Sequence, residues 1–178
     1  VSSQLLREIG AGRPGLFTHV GLGTVCDPRQ GGGRMNASAK DDLTEVVQMD
    51  GREYLRYKPF PVNVDLVRAS AADEDGNISF EHEVANVDAQ SLALAARNSG
   101  GKVIVQVKER LPNGALKARE GRIPSAWVDA ILVDPDQRAS YGIPFDPALS
   151  GELTGEARYL SESADHAAEK AAANEVFG

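Results

Sequence analysis

The stretch Thr44-Glu-Val-Val-Gln-Met49, Asp50-Gly51, Arg52-Glu-Tyr-Leu-Arg-Tyr57 constrains the fold more than any other part of the chain. Two strand-like runs are joined there by Asp-Gly, a dipeptide that accepts positive φ at both central positions of a type I′ turn. A two-residue hairpin requires that geometry. Further on, Lys102-Val-Ile-Val-Gln-Val-Lys108 is a nearly continuous β-branched run, the pattern of a strand buried on both faces of a sheet. Between them, Asn86 is placed to cap a helix over 87–98, closed by Ser99-Gly100-Gly101. Strand, helix, buried strand is a βαβ-like unit. The chain therefore reads as α/β: a mostly parallel sheet with flanking helices and an antiparallel β-hairpin.

The other elements fit around that frame. Residues 1–10 form a short helix, with Ser2 or Ser3 as cap and Val1, Leu5, Leu6 and Ile9 near one face, broken by Gly10 through Gly15. A strand through Leu16–Val20 runs into Gly21-Leu-Gly-Thr24, and 27–40 is a loop holding Gly31-Gly32-Gly33. Val64–Ala69 is a strand, Asp73-Glu-Asp-Gly-Asn77 a turn, and Ile78–Phe80 a brief return. Ala126–Val133 reads as a last strand between Pro124 and Pro135. Residues 134–151, with Pro135, Pro144 and Pro147, meander, and the Ala/Glu-rich stretch 156–177 forms a helix with a thin apolar stripe. The boundary implied is one α/β domain over 1–152 and a divergent helical tail over 153–178.

Composition sets limits on function. With 178 residues, 42% hydrophobic and 25% charged, the chain is long enough to bury a core and too ordinary in balance for wholesale disorder. A single cysteine, Cys26, excludes a disulfide-stapled scaffold and points to a reducing compartment. Nineteen Lys+Arg against 26 Asp+Glu leave a net charge of −7, which makes nucleic acid a poor partner. No apolar run approaches the length of a membrane span and no secretory leader is evident. The expectation is a cytoplasmic protein that touches neither nucleic acid nor membrane.

Residue by residue, chemistry is sparse. Gly21 and Gly23 after a strand let backbone N–H groups approach a phosphate or carboxylate, and Thr24 adds a hydroxyl donor. A tight strand-end turn is the competing reading, since the dinucleotide fingerprint fails at Cys26. Arg29 and Arg34 flank the triple glycine as the one basic pair in a setting suited to an anionic ligand, or else are plain exposed arginines. His19, His82 and His166 have no zinc spacing. Glu81-His82-Glu83 reads as a solvated strand edge, its carboxylates facing one way and the imidazole the other, so no metal site is expected. Cys26 lacks an activating cation, and Asp73-Glu74-Asp75 reads as a turn. No catalytic constellation follows from spacing.

A longer pattern says more. Val20-Gly-Leu-Gly-Thr-Val-Cys-Asp-Pro-Arg-Gln-Gly-Gly-Gly-Arg-Met-Asn36 is followed by the hairpin with Tyr54-Leu-Arg-Tyr-Lys58, then by Val64–Arg68, Ala72–Ile78 and Ala96–Val107. Ile123-Pro124, Val128-Asp129, Tyr141 and Asp146–Glu152 continue it. The whole resembles the family I CoA transferases, in particular the fused acetate, propionate and acetoacyl-CoA type, over roughly 4–152. The resemblance implies ping-pong exchange of CoA between an acyl thioester and a carboxylic acid through a glutamyl-CoA thioester. CoA is then a substrate, and no cofactor is implied. The family's Gly-Gly-Phe signature and its nucleophilic glutamate motif have no counterpart in this chain, so no catalytic residue is assigned to Glu81, Glu83 or Glu152. Gly21, Gly23, Thr24, Arg29 and Arg34 remain candidates for substrate or CoA contact.

Two expectations follow. The first is a segment inactive by itself, with acyl-CoA or carboxylate as partner once a missing half completes it. The alternative is a non-enzymatic module that keeps the fold and associates with itself or binds a ligand. A homo-oligomer is expected, because an apolar face without its usual cover favours self-association.

Overall fold

The computed structural model describes residues 1–117, 119–138 and 147–154. Its elements are α1 (Ser2–Gly10), β1 (Leu16–Thr18), β2 (Thr44–Met49), β3 (Arg52–Tyr57), β4 (Val64–Asp73), β5 (Ile78–Ser79), α2 (Ala89–Asn98), β6 (Lys102–Leu111), β7 (Gly121–Ile123) and β8 (Ala130–Val133). Two sheets form, one of order β1-β3-β2 and one of order β7-β5-β4-β6-β8. The chain divides into two compact units, one of residues 1–67, 88–105 and 126–130, the other of 68–87, 106–125 and 131–178. These interleave in sequence. The expected tail helix over 156–177 lies outside the described residues.

In the first unit the hairpin forms as its sequence dictates. Asp50 and Gly51 take φ of 50° and 74°, and β2 pairs antiparallel with β3 from Thr44↔Tyr57 to Met49↔Arg52. β1 adds to the other side of β3, also antiparallel. Helix α1 packs on α2 through Leu5, Ile9 and Ala95, with Leu6, Leu16, Tyr57 and Val62 around them. Gly10 permits the close approach, since a Cβ there would stand 3.0 Å from the Leu94 side chain. Asn98 donates to the Ile9 carbonyl at 2.8 Å. No serine side chain caps α1, because the Ser3 hydroxyl donates instead to Asp88 at 2.6 Å. Helix α2 starts at Ala89 rather than 87, because Val87 has a positive φ of 42° and stands outside the helix.

The sheet of five strands mixes directions. Lys102 N–H donates to the Asn63 carbonyl, so neighbouring β4 and β6 start side by side and run the same way. Asp129 N–H to Val103 O and Asp134 N–H to Val107 O place β8 parallel to β6. The pairs β4–β5 and β5–β7 are antiparallel. The parallel portion of this α/β fold is therefore the set β4, β6 and β8. Strand β6 is buried on one face only: Val103, Val105 and Val107 are fully covered while Ile104 is 37% exposed. β4 alternates in the same manner, with Asp65 and Val67 inward and Val64 and Leu66 outward.

In the second unit, Asp73 organises the predicted turn. Its carboxylate accepts from the Asn77 backbone N–H at 2.7 Å and from the Asn77 amide at 2.8 Å, and Gly76 supplies φ of 87°. Ile78, Phe80, Val107 and Ile123 are the larger buried side chains there. No helix among the described residues is long and apolar enough to cross a membrane.

Candidate functional site

The loop after β1 is built inward around one buried carboxylate. Asp27 is fully covered and accepts from Gly23 N–H (2.9 Å), Arg29 N–H (3.0 Å), Arg29 Nε (2.9 Å) and Arg29 Nη2 (2.8 Å). The Arg29 guanidinium, and after it the Gly23 amide, hold this carboxyl far below the usual carboxylate range. In return Asp27, then Glu53, raises the pKa of Arg29. Arg29 reaches Glu53 on β3 at 3.2 Å, and Thr44 Oγ1 on β2 donates to the Cys26 carbonyl at 2.8 Å. The hairpin thus fixes the loop from two points.

Gly21 shows why its position demands glycine. Its φ is 102°, and a Cβ would overlap the Tyr57 hydroxyl, which itself donates to the Val20 carbonyl at 3.1 Å. Burial, and then the neighbouring Cys26 thiol, pushes the Tyr57 phenol up. Gly31, Gly32 and Gly33 all have positive φ, and Gly32 and Gly33 N–H groups donate to the carbonyls of Asp27 and Val25.

The structure thus brings Gly21, Gly23, Thr24 and Arg29 into one loop, but their donors largely point inside it. The Gly23 N–H serves Asp27, the Thr24 hydroxyl donates to the Gly21 carbonyl at 2.7 Å, and Arg29 serves Asp27 and Glu53. Arg34 lies apart, bonded to the Gly31 carbonyl and paired with Asp42, both at 3.2 Å. Outward, the loop presents a mixed surface: Val20, Val25 and Met35 are exposed, and so are Thr24, Arg29, Gln30, Arg34 and Asn36. The organising role of Asp27 had one sequence signal, an aspartate directly before proline opening a turn.

A second set of side chains assembles where β4, β6 and β8 end. Residues 81–83 form a turn after β5 and do not continue the strand, as the Glu83 N–H closes on the Phe80 carbonyl. The alternation expected of Glu81-His82-Glu83 is accordingly lost. Glu83 tucks against Arg68 at 2.8 Å, and His82 Nδ1 stands 2.6 Å from Glu152 Oε1, which also accepts from the Ser150 hydroxyl at 2.8 Å. The imidazole contact first, then Ser150, lowers the Glu152 pKa. Ser70, itself buried, accepts the His82 backbone N–H at 2.9 Å. These groups border a cavity of about 410 Å³ lined by Ser70, His82, Glu83, Lys108, Glu109, Pro135, Gln137 and Arg138. Among the described residues no group of three or more His, Cys, Asp or Glu is arranged to hold a metal ion.

Comparison with known proteins places this geometry. A family model described as "Coenzyme A transferase" matches residues 3–134. Caffeate CoA-transferase of Acetobacterium woodii is 46% identical over 152 residues, 84% of this chain and 29% of that protein. Acetate CoA-transferase YdiF of Escherichia coli K12 is 40% identical over 155 residues, 86% of this chain and 29% of that protein. The crystal structure of the O157:H7 YdiF acyl-CoA transferase, a thioester complex with CoA, superposes with a TM-score of 0.82 at 39% identity, over 86% of this chain and 32% of that one. The chain therefore spans about a third or less of the length of these relatives.

Proposed function

This chain belongs to the coenzyme A transferase family, and on that premise we propose that it is the loop-bearing segment of an enzyme that moves CoA between an acyl thioester and a carboxylic acid. One observation supports the reading above the rest. The family match runs through the whole of 20–36, and that loop is held in a single shape by Asp27, Tyr57 and Thr44.

In such an exchange a glutamate carboxylate attacks the thioester carbonyl and expels CoA thiolate, leaving an acyl-glutamyl anhydride. The thiolate then attacks the glutamyl carbonyl, which forms the glutamyl-CoA thioester and releases the acid. An acceptor carboxylate runs both steps in reverse. Bonds broken and formed are similar in energy, so catalysis rests mainly on positioning. A fixed loop suits that task, and at exposed Gly23, where no atom stands within 4 Å of the missing Cβ, the backbone leaves room for a substrate to come close. On this reading the attacking glutamate belongs to the part of the relatives' length that this chain does not span, because the glutamate motif of the family has no counterpart in these residues. A cytoplasmic location fits substrates of this kind.

Incubating the purified chain with an acyl-CoA and labelled acetate tests the assignment, with no exchange expected. Exchange above a protein-free control overturns it. Calorimetric titration with CoA, repeated on Arg34→Ala, tests whether the loop contacts CoA, and no heat at millimolar CoA rules that contact out.

A second reading, a self-associating module, is favoured by the outward pair Val64 and Leu66, 53% and 76% exposed. Sedimentation of the chain gives a homo-oligomer on this reading, and a clean monomer at high concentration ends it.

A further inference from the structure

We infer that the open edge of β2 docks a second copy of this chain, the two β2 strands pairing antiparallel across a two-fold axis beside Val47. The contact rests on the self-associating reading above and is made by residues other than Val64 and Leu66. In the sheet of order β1-β3-β2, β2 is an outer strand. The hairpin decides which of its backbone groups face outward. Met49 and Arg52 flank the two-residue turn and exchange hydrogen bonds, so the alternate pairs Val47↔Tyr54 and Glu45↔Arg56 do the same. The Lys58 N–H keeps that alternation by donating to the Leu43 carbonyl at 2.8 Å. The N–H and C=O groups of Val46 and Gln48 therefore point away from β3, and no strand among the described residues takes them.

This edge carries none of the usual guards. Free strand edges are ordinarily blunted by proline, by lysine or by a bulge that bends the strand away. Thr44–Met49 holds no proline, glycine or lysine, and its pairing with β3 runs from end to end without a register shift. Its one charge, Glu45, is paired with Arg56 at 2.6 Å and with Lys58 at 3.6 Å. The face that bears Val47 and Met49 also bears Tyr54 on β3 and Phe17 on β1, the last 37% exposed.

The strand is complementary to itself, which selects a second copy as the occupant. Setting Val46 opposite the copy's Gln48, and Gln48 opposite its Val46, lets each pair exchange two backbone hydrogen bonds. The positions between them then place Val47 against Val47 at the axis, where side chains of an antiparallel pair come closest, and Glu45 against Met49. A β-branched pair thus sits at the centre and no like charges of β2 stand opposite each other. This register leaves out Thr44, whose side chain is buried and donates to the Cys26 carbonyl at 2.8 Å. The two sheets become one, and the face of Phe17, Val47, Met49 and Tyr54 continues from one copy into the next. Added strands bind in this manner, with main-chain bonds giving affinity and alternate side chains giving register.

Sedimentation velocity of the purified chain over a concentration series, with hydrogen exchange at a dilute and a concentrated point, tests the contact. A dimer is expected in which the Val46 and Gln48 amides exchange more slowly than in the dilute chain, while the Val47 amide, already bonded to Tyr54, does not change. Gln48→Pro removes a donor that β3 does not use. The dimer then loses one hydrogen bond from each copy, and its dissociation constant rises roughly tenfold or more. Val47→Lys sets two like charges at the axis and weakens the dimer as much, whereas Leu66→Lys on β4 leaves it intact. Circular dichroism shows whether Gln48→Pro keeps its fold; if it does not, Val47→Lys carries the comparison. A dimer that Val47→Lys and the folded Gln48→Pro leave unweakened, one that Leu66→Lys dissolves, or one without slowed exchange at Val46 and Gln48 overturns the inference and leaves self-association standing. A monomer at every concentration ends both.

Discussion

Asp27 and Asp65 are the same residue type, are equally hidden from water, and meet opposite fates. Asp27, 0% exposed, collects four donors and its pKa falls. Asp65, 3% exposed on β4, has an Oδ2 with no hydrogen-bond partner among the described residues, and burial pushes its pKa up to about 6. Burial alone therefore does not set the charge of a carboxyl in this protein; what surrounds its two oxygens does. The loop treats its aspartate as a hub, whereas β4 carries its own at a cost.

Removing the hub has the largest expected effect. Asp27→Ala strips Gly23 and Arg29 of their acceptor and lowers the melting temperature by on the order of 10 °C, read by calorimetry. A change of a degree or two reduces Asp27 to one contact among many. The two aspartates also oppose each other in pH. The depressed pKa of Asp27 stabilises the fold above the ordinary carboxylate range and stops doing so only when acid protonates the folded state. The raised pKa of Asp65 works the other way: its contribution is complete below about pH 4, near the unfolded pKa, and is lost as pH rises through about 6. Asp65→Asn accordingly stabilises the chain by up to about 3 kcal/mol at pH 8, and that gain is gone by about pH 4, measured by urea unfolding at both values. An equal gain at both pH values breaks the contrast. The smallest effect belongs to Glu53→Gln, which removes the outer partner of Arg29. With both side chains about half exposed, the melting temperature moves by less than about 2 °C. A larger shift makes Glu53 a second hub.

The parts of this structure that were legible in the sequence are those fixed by backbone chemistry within a few residues. Asp50-Gly51 can hardly join two strands in another way, and Asp73 through Asn77 closes by contacts inside the turn. The loop 20–36 is legible as a pattern for the same reason, since its glycines answer to local φ. What sequence did not disclose depends on distant neighbours. Nothing in Val64-Asp65-Leu66 announces that the aspartate turns in and the leucine out. Lys102–Lys108 carries apolar side chains on both faces, yet Ile104 meets solvent because the covering of the sheet is one-sided at that strand. His82 and Glu152 are separated by 70 positions, so no spacing rule connects them. Arg29 and Arg34 look alike from the sequence and differ because one has a buried acceptor two residues away while the other reaches Asp42.

The grip of Tyr57 on Val20 and of Thr44 on Cys26 has a practical corollary for protein engineering. The glycine segment is not a portable cassette: transplanted alone to a foreign scaffold it leaves behind both of its clasps, and any graft that hopes to keep its form must bring the neighbouring ribbon of two strands along.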